Sequence, residues 1–419
     1  MRVYILALLI IIVLTIAVDS LLWLYTKSYR QTFKSKTRKY ISLIYWLIPL
    51  LFIVFFLYAP RLLDKDSINE ISYYRFTLMN GIYLLFYVPK IIAILFLSLS
   101  HLVISIMEII GKMNANTAEI SKGKKITRAQ FLGKVSLIVA AIPLASLIYN
   151  ITKGRFKFSV NKNKVAINNL PKGLEGLKIV QISDIHLGNF NFKYDLIEGV
   201  IEHINHLEAD FIFITGDLVN NFASETKGWD KVFSQLKAKH GRYAILGNHD
   251  YGDYSEWKSK DLKQDNFDKI KQAYSDFGFE LLLNENRNLK INDEQLSIIG
   301  VENWGHPPFP RYGDLEKAMN GELANTKILL THDPDHWDAE ILHHTNIDLS
   351  LAGHTHGMQV GLKFKNKEWS PAQWKYKYWG GLYKNKDQYL YVNRGLGVVG
   401  VPLRVGMPPE ITLLTLCNG

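Results

Sequence analysis

The chain has 419 residues, enough for more than one domain, and its charge is unevenly distributed. Residues 1–150 carry 17 lysines and arginines against 6 acidic residues, whereas residues 151–419 carry 32 and 33. The net charge of +10 therefore belongs to the first third, and the neutral remainder argues against nucleic-acid binding. With Cys417 as the single cysteine, an internal disulfide is excluded.

Four apolar runs in residues 1–150 are long enough to cross a bilayer, which takes about 20 residues of helix. They are Val3–Tyr25, Tyr40–Ala59, a run within Leu78–Ile110, and Phe131–Tyr149. The third run contains Pro89 and is too short for two crossings, so it predicts one tilted or interfacially extended helix. Asp19 lies near one end of the first run, and we interpret it as a residue near the membrane interface. Residues 1–150 are thus predicted to be an all-α membrane anchor of about four helices.

The loops between these runs indicate the orientation of the chain. The first loop has six basic residues and no acidic one, the third has five basic residues and Glu119, and the second is mixed. Positive loops stay in the cytoplasm, so everything after Tyr149 is predicted to be extracytoplasmic. Thr127–Lys134 resembles a twin-arginine export signal in which Ala129 stands where the second arginine belongs. Basic residues before any membrane span give the same pattern, so both interpretations stay open.

Residues 151–419 alternate apolar runs with amphipathic stretches. Residues 155–160 and 164–168 flank Asn161-Lys162-Asn163 and predict an edge hairpin. Further strands are predicted at Lys178–Ile185, Phe211–Gly216, Arg242–Leu246, Leu296–Val301, Lys327–Thr331, Leu349–Ala352, Tyr389–Asn393 and Glu410–Leu416. Helices are predicted at Tyr194–Leu207, Thr226–Lys239, Asp265–Phe277 and Asp338–His343. This order predicts one α/β domain in which two sheets pack face to face with helices outside.

Potential metal ligands follow five of these strands, usually beside a glycine. Asp184 and His186 share one face of an extended segment because side chains alternate along it. The other strand ends carry Gly216-Asp217, Gly247-Asn248-His249-Asp250, His332, and Gly353-His354-Thr355-His356. Binding residues gather at the carboxyl ends of strands in α/β sheets, so we expect these side chains to converge. Imidazole, carboxylate and amide ligands without thiolate suit Mn, Fe or Zn better than Ca.

This ordered set resembles the calcineurin-like metallophosphoesterases over roughly Leu177–Leu416, and the tail from Arg394 to Glu410 resembles their membrane-anchored bacterial branch. The resemblance implies a two-sheet sandwich with a binuclear metal site at its edge. By motif, Asp184, His186 and His356 would hold one divalent ion, and Asn248, His332 and His354 the other, with Asp217 bridging both. Two ions about 3.5–4 Å apart can activate a shared water as hydroxide and neutralise phosphoryl oxygens.

Other residues have more open roles. The resemblance implies that His249 contacts the phosphate and protonates the leaving oxygen, while Asp250 either orients that imidazole or caps a helix. Arg394 and His306 are candidate substrate contacts, although the Pro-rich loop around His306 also suits a purely structural role. The aromatic stretch 369–383 suits the lipid headgroup level, an apolar substrate or a hairpin packed on the core.

Together these features predict a multi-pass protein of the bacterial cytoplasmic membrane with an extracytoplasmic catalytic domain. We expect a metal-dependent hydrolase of a phosphate ester, phosphodiester or pyrophosphate, acting on a membrane-associated or envelope substrate that includes the lipid-linked kind. Membrane lipid is the other expected partner; nucleic acid is not expected, and no protein partner is identifiable. The alternative is a catalytically silent scaffold or sensor that keeps the fold.

Overall fold

The computed structural model describes residues 2–62, 70–113, 128–305, 307, 310–365 and 367–419. The chain divides into two compact units. The first consists of Met1–Leu62 and Met79–Tyr149, and the second of Leu63–Leu78 and Asn150–Gly419.

Long apolar helices build the first unit. The chain forms α1 (Arg2–Tyr25), α2 (Lys27–Arg30), α3 (Ser35–Leu62), α4 (Glu70–Met113) and α5 (Arg128–Thr152). Within the described residues, α1, α3, α4 and α5 are long and apolar enough to cross a membrane, which confirms the four predicted spans. Helix α4 runs unbroken through Pro89. Of the segment that resembles an export signal, Thr127 lies outside the described residues and the rest forms the start of α5.

Asp19 is buried between helices, and its position near the membrane interface stays a prediction. Its side chain has no exposed surface. The Tyr87 hydroxyl donates to Asp19 Oδ2 at 2.7 Å, and Lys90 Nζ lies 2.7 Å from Oδ1. The Tyr45 hydroxyl donates to the Asp19 carbonyl at 2.8 Å. These contacts could not be predicted from the sequence, because Tyr87 and Lys90 lie 68 and 71 residues away from Asp19 along the chain.

Two six-stranded sheets form the described core of the second unit, which confirms the predicted α/β sandwich. The strands are β1 (Ser159–Ile167), β2 (Lys178–Ile182), β3 (Phe211–Thr215), β4 (Gly241–Ile245), β5 (Glu280–Leu281), β6 (Glu285–Ile291), β7 (Glu294–Gly300), β8 (Thr326–Leu330), β9 (Leu349–Ala352), β10 (Leu362–Phe364), β11 (Lys367–Trp369), β12 (Gly381–Asn385), β13 (Gln388–Val392) and β14 (Glu410–Asn418). Sheet 1 has the order β1-β14-β2-β3-β4-β5, sheet 2 has the order β12-β13-β9-β8-β7-β6, and β10 and β11 form a separate ribbon.

Helices cover this sandwich. They are α6 (Tyr194–Asn205), α7 (Asp230–Phe233), α8 (Lys260–Asp276) and α9 (Leu315–Ala318), with a π-helical turn at Trp337–Ile341. Strand β3 shows how the layers are specified, since its side chains alternate between two apolar clusters. Phe211 and Phe213 join the cluster that contains residues from both sheets, whereas Ile212 and Ile214 join the cluster that contains residues of α6 and α8.

Two predicted elements differ from the structure, and strands β5, β6, β10, β11 and β12 and helix α9 were not predicted. The predicted hairpin around Asn161-Lys162-Asn163 is the single strand β1, which pairs in parallel with β14 from Ser159↔Glu410 to Ile167↔Asn418. A pairing partner 251 residues away leaves no local signal, so the three polar residues were misread as a turn. The helix predicted at Thr226–Lys239 shrinks to α7, because Gly228 adopts φ +78° just before it and breaks the helical path.

Candidate metal centre

Five strand ends from both sheets deliver the polar side chains that form this site. Strands β2, β3 and β4 run parallel in sheet 1, and β8 and β9 run parallel in sheet 2. Their carboxyl ends are tied together by backbone hydrogen bonds, such as those from Asp184 N to the Gly216 carbonyl and from Gly353 N to the His332 carbonyl, both 3.0 Å. All seven predicted ligands lie at this edge.

The first ligand cluster contains Asp184, His186 and His356, all buried. Their ligand atoms lie within 4.8 Å of one another. The Nε2 atoms of His186 and His356 are 3.1 Å apart, and His356 Nε2 lies 3.3 Å from Asp184 Oδ1. Among the described residues, His186 Nδ1 has no hydrogen-bond partner. Two ring nitrogens pointed at each other beside a carboxylate leave their lone pairs for a cation rather than for each other.

Asn248, His332 and His354 form the second cluster. Asn248 Oδ1 lies 3.0 Å from His332 Nε2 and 2.9 Å from His354 Nδ1. His332 is held from behind, because its Nδ1–H donates to the Thr215 carbonyl at 2.7 Å. That bond selects the tautomer whose Nε2 is free to bind a metal.

Asp217 stands between the two clusters. Its Oδ2 lies 3.7 Å from His186 Nε2 and 3.3 Å from His332 Nε2, while its Oδ1 accepts the backbone N–H of His249 at 2.9 Å. One carboxylate oxygen that faces a histidine of each cluster fits a bridging ligand. The donor set of imidazole, carboxylate and amide therefore fits divalent transition metals.

The backbone of this edge is strained at most of the ligand positions. Asp184, His186, Asp217, His354 and His356 all have φ between +50° and +74°. Each such residue costs about 1–2 kcal/mol relative to a right-handed conformation, and strain of this kind concentrates at functional sites. Gly353 permits the close approach, because a Cβ there would lie 2.4 Å from Asp184 Oδ2. Gly353 thus lets the ligand side chains pack closely, and backbone flexibility is not its role.

Burial and mutual attraction shift the pKa values of Asp217 and His332. Burial alone would raise the pKa of Asp217, yet the imidazoles of His332 and His249 hold it well below its usual value. Burial alone would lower the pKa of His332, but the Asp217 carboxylate outweighs it and raises the pKa to about 10. Asp217 is thus ionised and His332 protonated at the place where a cation would bind. Metal binding therefore has to release the proton of His332.

His249 lies at the rim of the ligand clusters. One of its ring nitrogens lies within 4.8 Å of the ligand atoms of His186 and Asp217. Its Nδ1–H donates to the Asn220 carbonyl at 2.6 Å, and its ring stacks on Tyr254 with centroids 4.1 Å apart. Burial lowers the pKa of His249, with Asp217 acting in the opposite sense. Because Nδ1 carries the proton and faces Asn220, Nε2 is the ring nitrogen of His249 that can contact a ligand in the site.

Asp250 does not orient His249; the capping alternative describes its contacts. Its carboxylate accepts the backbone N–H groups of Asp217 at 3.0 Å, Leu218 at 2.9 Å and Gly247 at 2.9 Å, together with the Tyr274 hydroxyl at 3.0 Å. Burial, reinforced by the charge of Asp217, raises the pKa of Asp250 to about 7 against these donors. Asp250 is therefore a positioning residue for the loop that carries Asp217.

The two candidate substrate contacts fare differently. His306 lies outside the described residues. Arg394 is buried and its guanidinium contacts the carboxylates of Glu368 and Glu410. Because two acids already neutralise this charge, these contacts do not support a phosphate contact for Arg394, which stays a prediction.

Two tyrosines that the motif search missed complete the site. The Tyr254 hydroxyl accepts from Asn248 Nδ2 at 2.6 Å, and the Tyr376 hydroxyl lies 3.3 Å from His354 Nε2. Both line a cavity of about 420 Å³ that also reaches Asn248, His354, Asp333 and Lys375. Tyr254 stands six residues after Asn248, a proximity that could have flagged it, whereas Tyr376 gave no signal beyond its place in the aromatic stretch.

Comparison with known proteins follows the same division of the chain. Residues 1–155 match the family "Probable Calcineurin-like phosphoesterase, transmembrane domain", and residues 177–358 match the calcineurin-like phosphoesterase family. An uncharacterized metallophosphoesterase of Bacillus subtilis, YkuE, is 31% identical over 303 residues, covering 70% of this chain and 98% of its own. A transmembrane protein with metallophosphoesterase domain from Danio rerio is 26% identical over 321 residues, covering 74% of this chain and 69% of its own.

An archaeal phosphodiesterase of known structure covers 52% of this chain and 85% of its own at 13% identity, with a TM-score of 0.27, too distant to carry an argument. The ligand set at five strand ends, the membrane helices and the matches over both halves agree with one another. The chain belongs to the calcineurin-like metallophosphoesterases, a family that uses divalent metals, and carries the family's transmembrane domain.

Proposed function

We propose that this protein hydrolyses a phosphate ester, phosphodiester or pyrophosphate with two divalent ions, Mn, Fe or Zn, held at the sheet edge. The observation that carries the proposal is the position of Asp217, whose Oδ2 faces His186 on one side and His332 on the other. When bound, such a pair of ions lowers the pKa of a water and neutralises charge on the phosphoryl oxygens.

The chain's own residues supply position and a proton. The clusters around Asp184 and Asn248 would hold the ions, and Asp217 would fix their separation. His249 would contact the phosphate, and its Nε2 is the atom available to carry a proton to the leaving oxygen. The cavity beside Asn248 and His354 would receive the leaving group, with Lys375 at its wall.

Replacement of the bridging carboxylate tests this proposal. Asp217→Asn keeps the size of the side chain but removes its charge, and we expect hydrolysis of bis-p-nitrophenyl phosphate with Mn²⁺ to fall by about 10²-fold or more. Asp261→Asn, an exposed position in the first turn of α8, is the matched control and should keep the parent rate. An unchanged rate in Asp217→Asn, or an inactive parent, would favour the silent scaffold instead.

We also propose that the catalytic domain lies on the extracytoplasmic side of a bacterial cytoplasmic membrane. The basic loops before the second and fourth spans support this orientation. Alkaline phosphatase, which is active only after export, should be active when fused after Tyr149 and inactive when fused after Gln31. The reverse pattern would place the domain in the cytoplasm.

A further inference from the structure

The ribbon of β10 and β11 presents an apolar face to solvent. Its strands pair as Leu362↔Trp369, Lys363↔Glu368 and Phe364↔Lys367, and directly opposed residues share a face. Leu362, Phe364 and Trp369 therefore lie on one side and the Lys363–Glu368 ion pair on the other. Leu362 is 67% exposed and Phe364 is 75% exposed.

Trp374 extends this apolar face. It is 76% exposed, and its ring meets the Trp369 ring edge-on with centroids 5.7 Å apart. In the same aromatic stretch, Tyr376 and Tyr378 are buried. The stretch 369–383 thus divides into an exposed part that continues the ribbon and a buried part that packs on the domain.

The ribbon is fixed to the domain through Glu368 on its opposite face and through the residues at its base. Glu368 contacts the buried guanidinium of Arg394, Gly361 N donates to the Val405 carbonyl at 2.8 Å, and Ser370 Oγ donates to the Gly357 carbonyl at 2.6 Å. An isolated two-stranded ribbon is marginally stable, so these contacts determine which face looks outward. The fold itself therefore keeps the apolar face exposed.

We propose that this face docks into a lipid bilayer that contains anionic headgroups. Phenylalanine, tryptophan and leucine are the side chains that enter the membrane interface most readily. Lys365, Lys367 and Lys375 are exposed beside them and complement negative headgroups. The chain also carries its own membrane spans, so a bilayer is always at high effective concentration. These arguments favour lipid over a partner protein.

The ribbon is linked to the metal centre through the chain itself. It follows the ligands His354 and His356 and leads into Lys375 and Tyr376, which line the cavity. The Tyr376 hydroxyl contacts His354 at 3.3 Å. Docking therefore holds Lys375, a residue of the cavity wall, near the headgroups, which favours a phosphate ester carried on a lipid as the substrate. This last step rests on the proposed hydrolase function.

Depth-dependent quenching tests the docking. The full chain, with Cys417→Ser and Phe364→Cys, carries an environment-sensitive fluorophore in nanodiscs of phosphatidylcholine, with or without phosphatidylglycerol. Lipids with a nitroxide near the headgroup should quench the fluorophore, and more strongly when phosphatidylglycerol is present. The same label at Lys290→Cys, exposed on β6, is the control. Quenching at position 364 no greater than at position 290 would overturn docking and favour a protein occupant.

Two substrates with the same leaving group test whether the substrate is carried on a lipid. In the variant with Leu362→Ser, Phe364→Ser and Trp374→Ser, hydrolysis of soluble bis-p-nitrophenyl phosphate should equal that of the parent. Hydrolysis of the p-nitrophenyl ester of phosphatidic acid in nanodiscs should fall about tenfold or more. Equal rates of parent and variant on both substrates, or equal losses on both, would overturn the lipid substrate. A parent that cleaves neither ester refutes the hydrolase function, whereas the quenching result still decides the docking.

Discussion

The Tyr254 hydroxyl accepts a hydrogen bond from the side-chain nitrogen of Asn248 at 2.6 Å, and this contact turns Asn248 Oδ1 toward His332 and His354. Tyr254 thus decides which end of the amide is offered to a metal. Loss of a partner that orients a ligand from behind commonly costs about 10–100-fold in metal affinity.

Tyr254→Phe should therefore weaken the binding of Mn²⁺ at the cluster of Asn248 by about 10-fold or more, because the amide loses its fixed orientation. Isothermal titration of the metal-free protein with Mn²⁺ measures this directly. Tyr194→Phe removes a hydroxyl that bonds to the Lys227 carbonyl, away from the ligands, and should leave both affinities unchanged. Equal affinities in Tyr254→Phe and the parent would show that packing alone orients Asn248.

Asp250→Asn should lower both stability and metal affinity. The amide cannot accept all the backbone N–H groups that the carboxylate satisfies, and lost charge-assisted bonds of this kind cost about 2–3 kcal/mol. Denaturant unfolding and Mn²⁺ titration measure the two effects. The matched control is Asp210→Asn, whose buried carboxylate accepts the Lys178 N–H at 2.7 Å on the same sheet. It should lose stability alone; a normal metal affinity in Asp250→Asn would argue against its positioning role.

The ion pair between Asp19 and Lys90 makes a prediction for the membrane helices. Asp19→Ala leaves the Lys90 ammonium in a largely buried site without its counter-ion, which should cost about 3–5 kcal/mol. Thermal unfolding of the full chain in detergent measures this loss. The double variant Asp19→Leu with Lys90→Met removes both charges and should recover most of it. Failure of the double variant to recover would assign the effect to the lost hydrogen bond from Tyr87 instead.

His336 should make the catalytic domain less stable in mild acid. Burial lowers the pKa of His336 below 6.5, although Glu340 at 3.2 Å acts in the opposite sense. The unfolded chain then binds this proton more readily than the folded one, so stability is full above pH 6.5 and falls as pH drops toward the folded pKa. His336→Gln should reduce the pH dependence of the unfolding free energy between pH 7 and 5, which denaturant titration measures. His344→Gln, at an exposed position, should keep the parent slope.

The sequence was informative where function and local pattern coincide. Each ligand follows an apolar run, because the run becomes a buried strand and its carboxyl end reaches the edge of the sheet, so Asp184 and His332 could be placed from their neighbours alone. Tyr376 could not, since its contact with His354 depends on a ribbon whose strands are three residues long. The ion pairs of Arg394 could not be predicted for a related reason: an arginine in a glycine-rich tail suggests an anion, and its acidic partners Glu368 and Glu410 come from other elements.

The pairing of β1 with β14 constrains when the catalytic domain can fold during synthesis. Strand β14 lies between β1 and β2, so sheet 1 stays in two pieces until residue 418 has emerged from the ribosome. The helices precede the domain and can enter the membrane long before that moment. Membrane insertion and completion of the sandwich are thus separate events, and the nascent domain must be kept from aggregating between them.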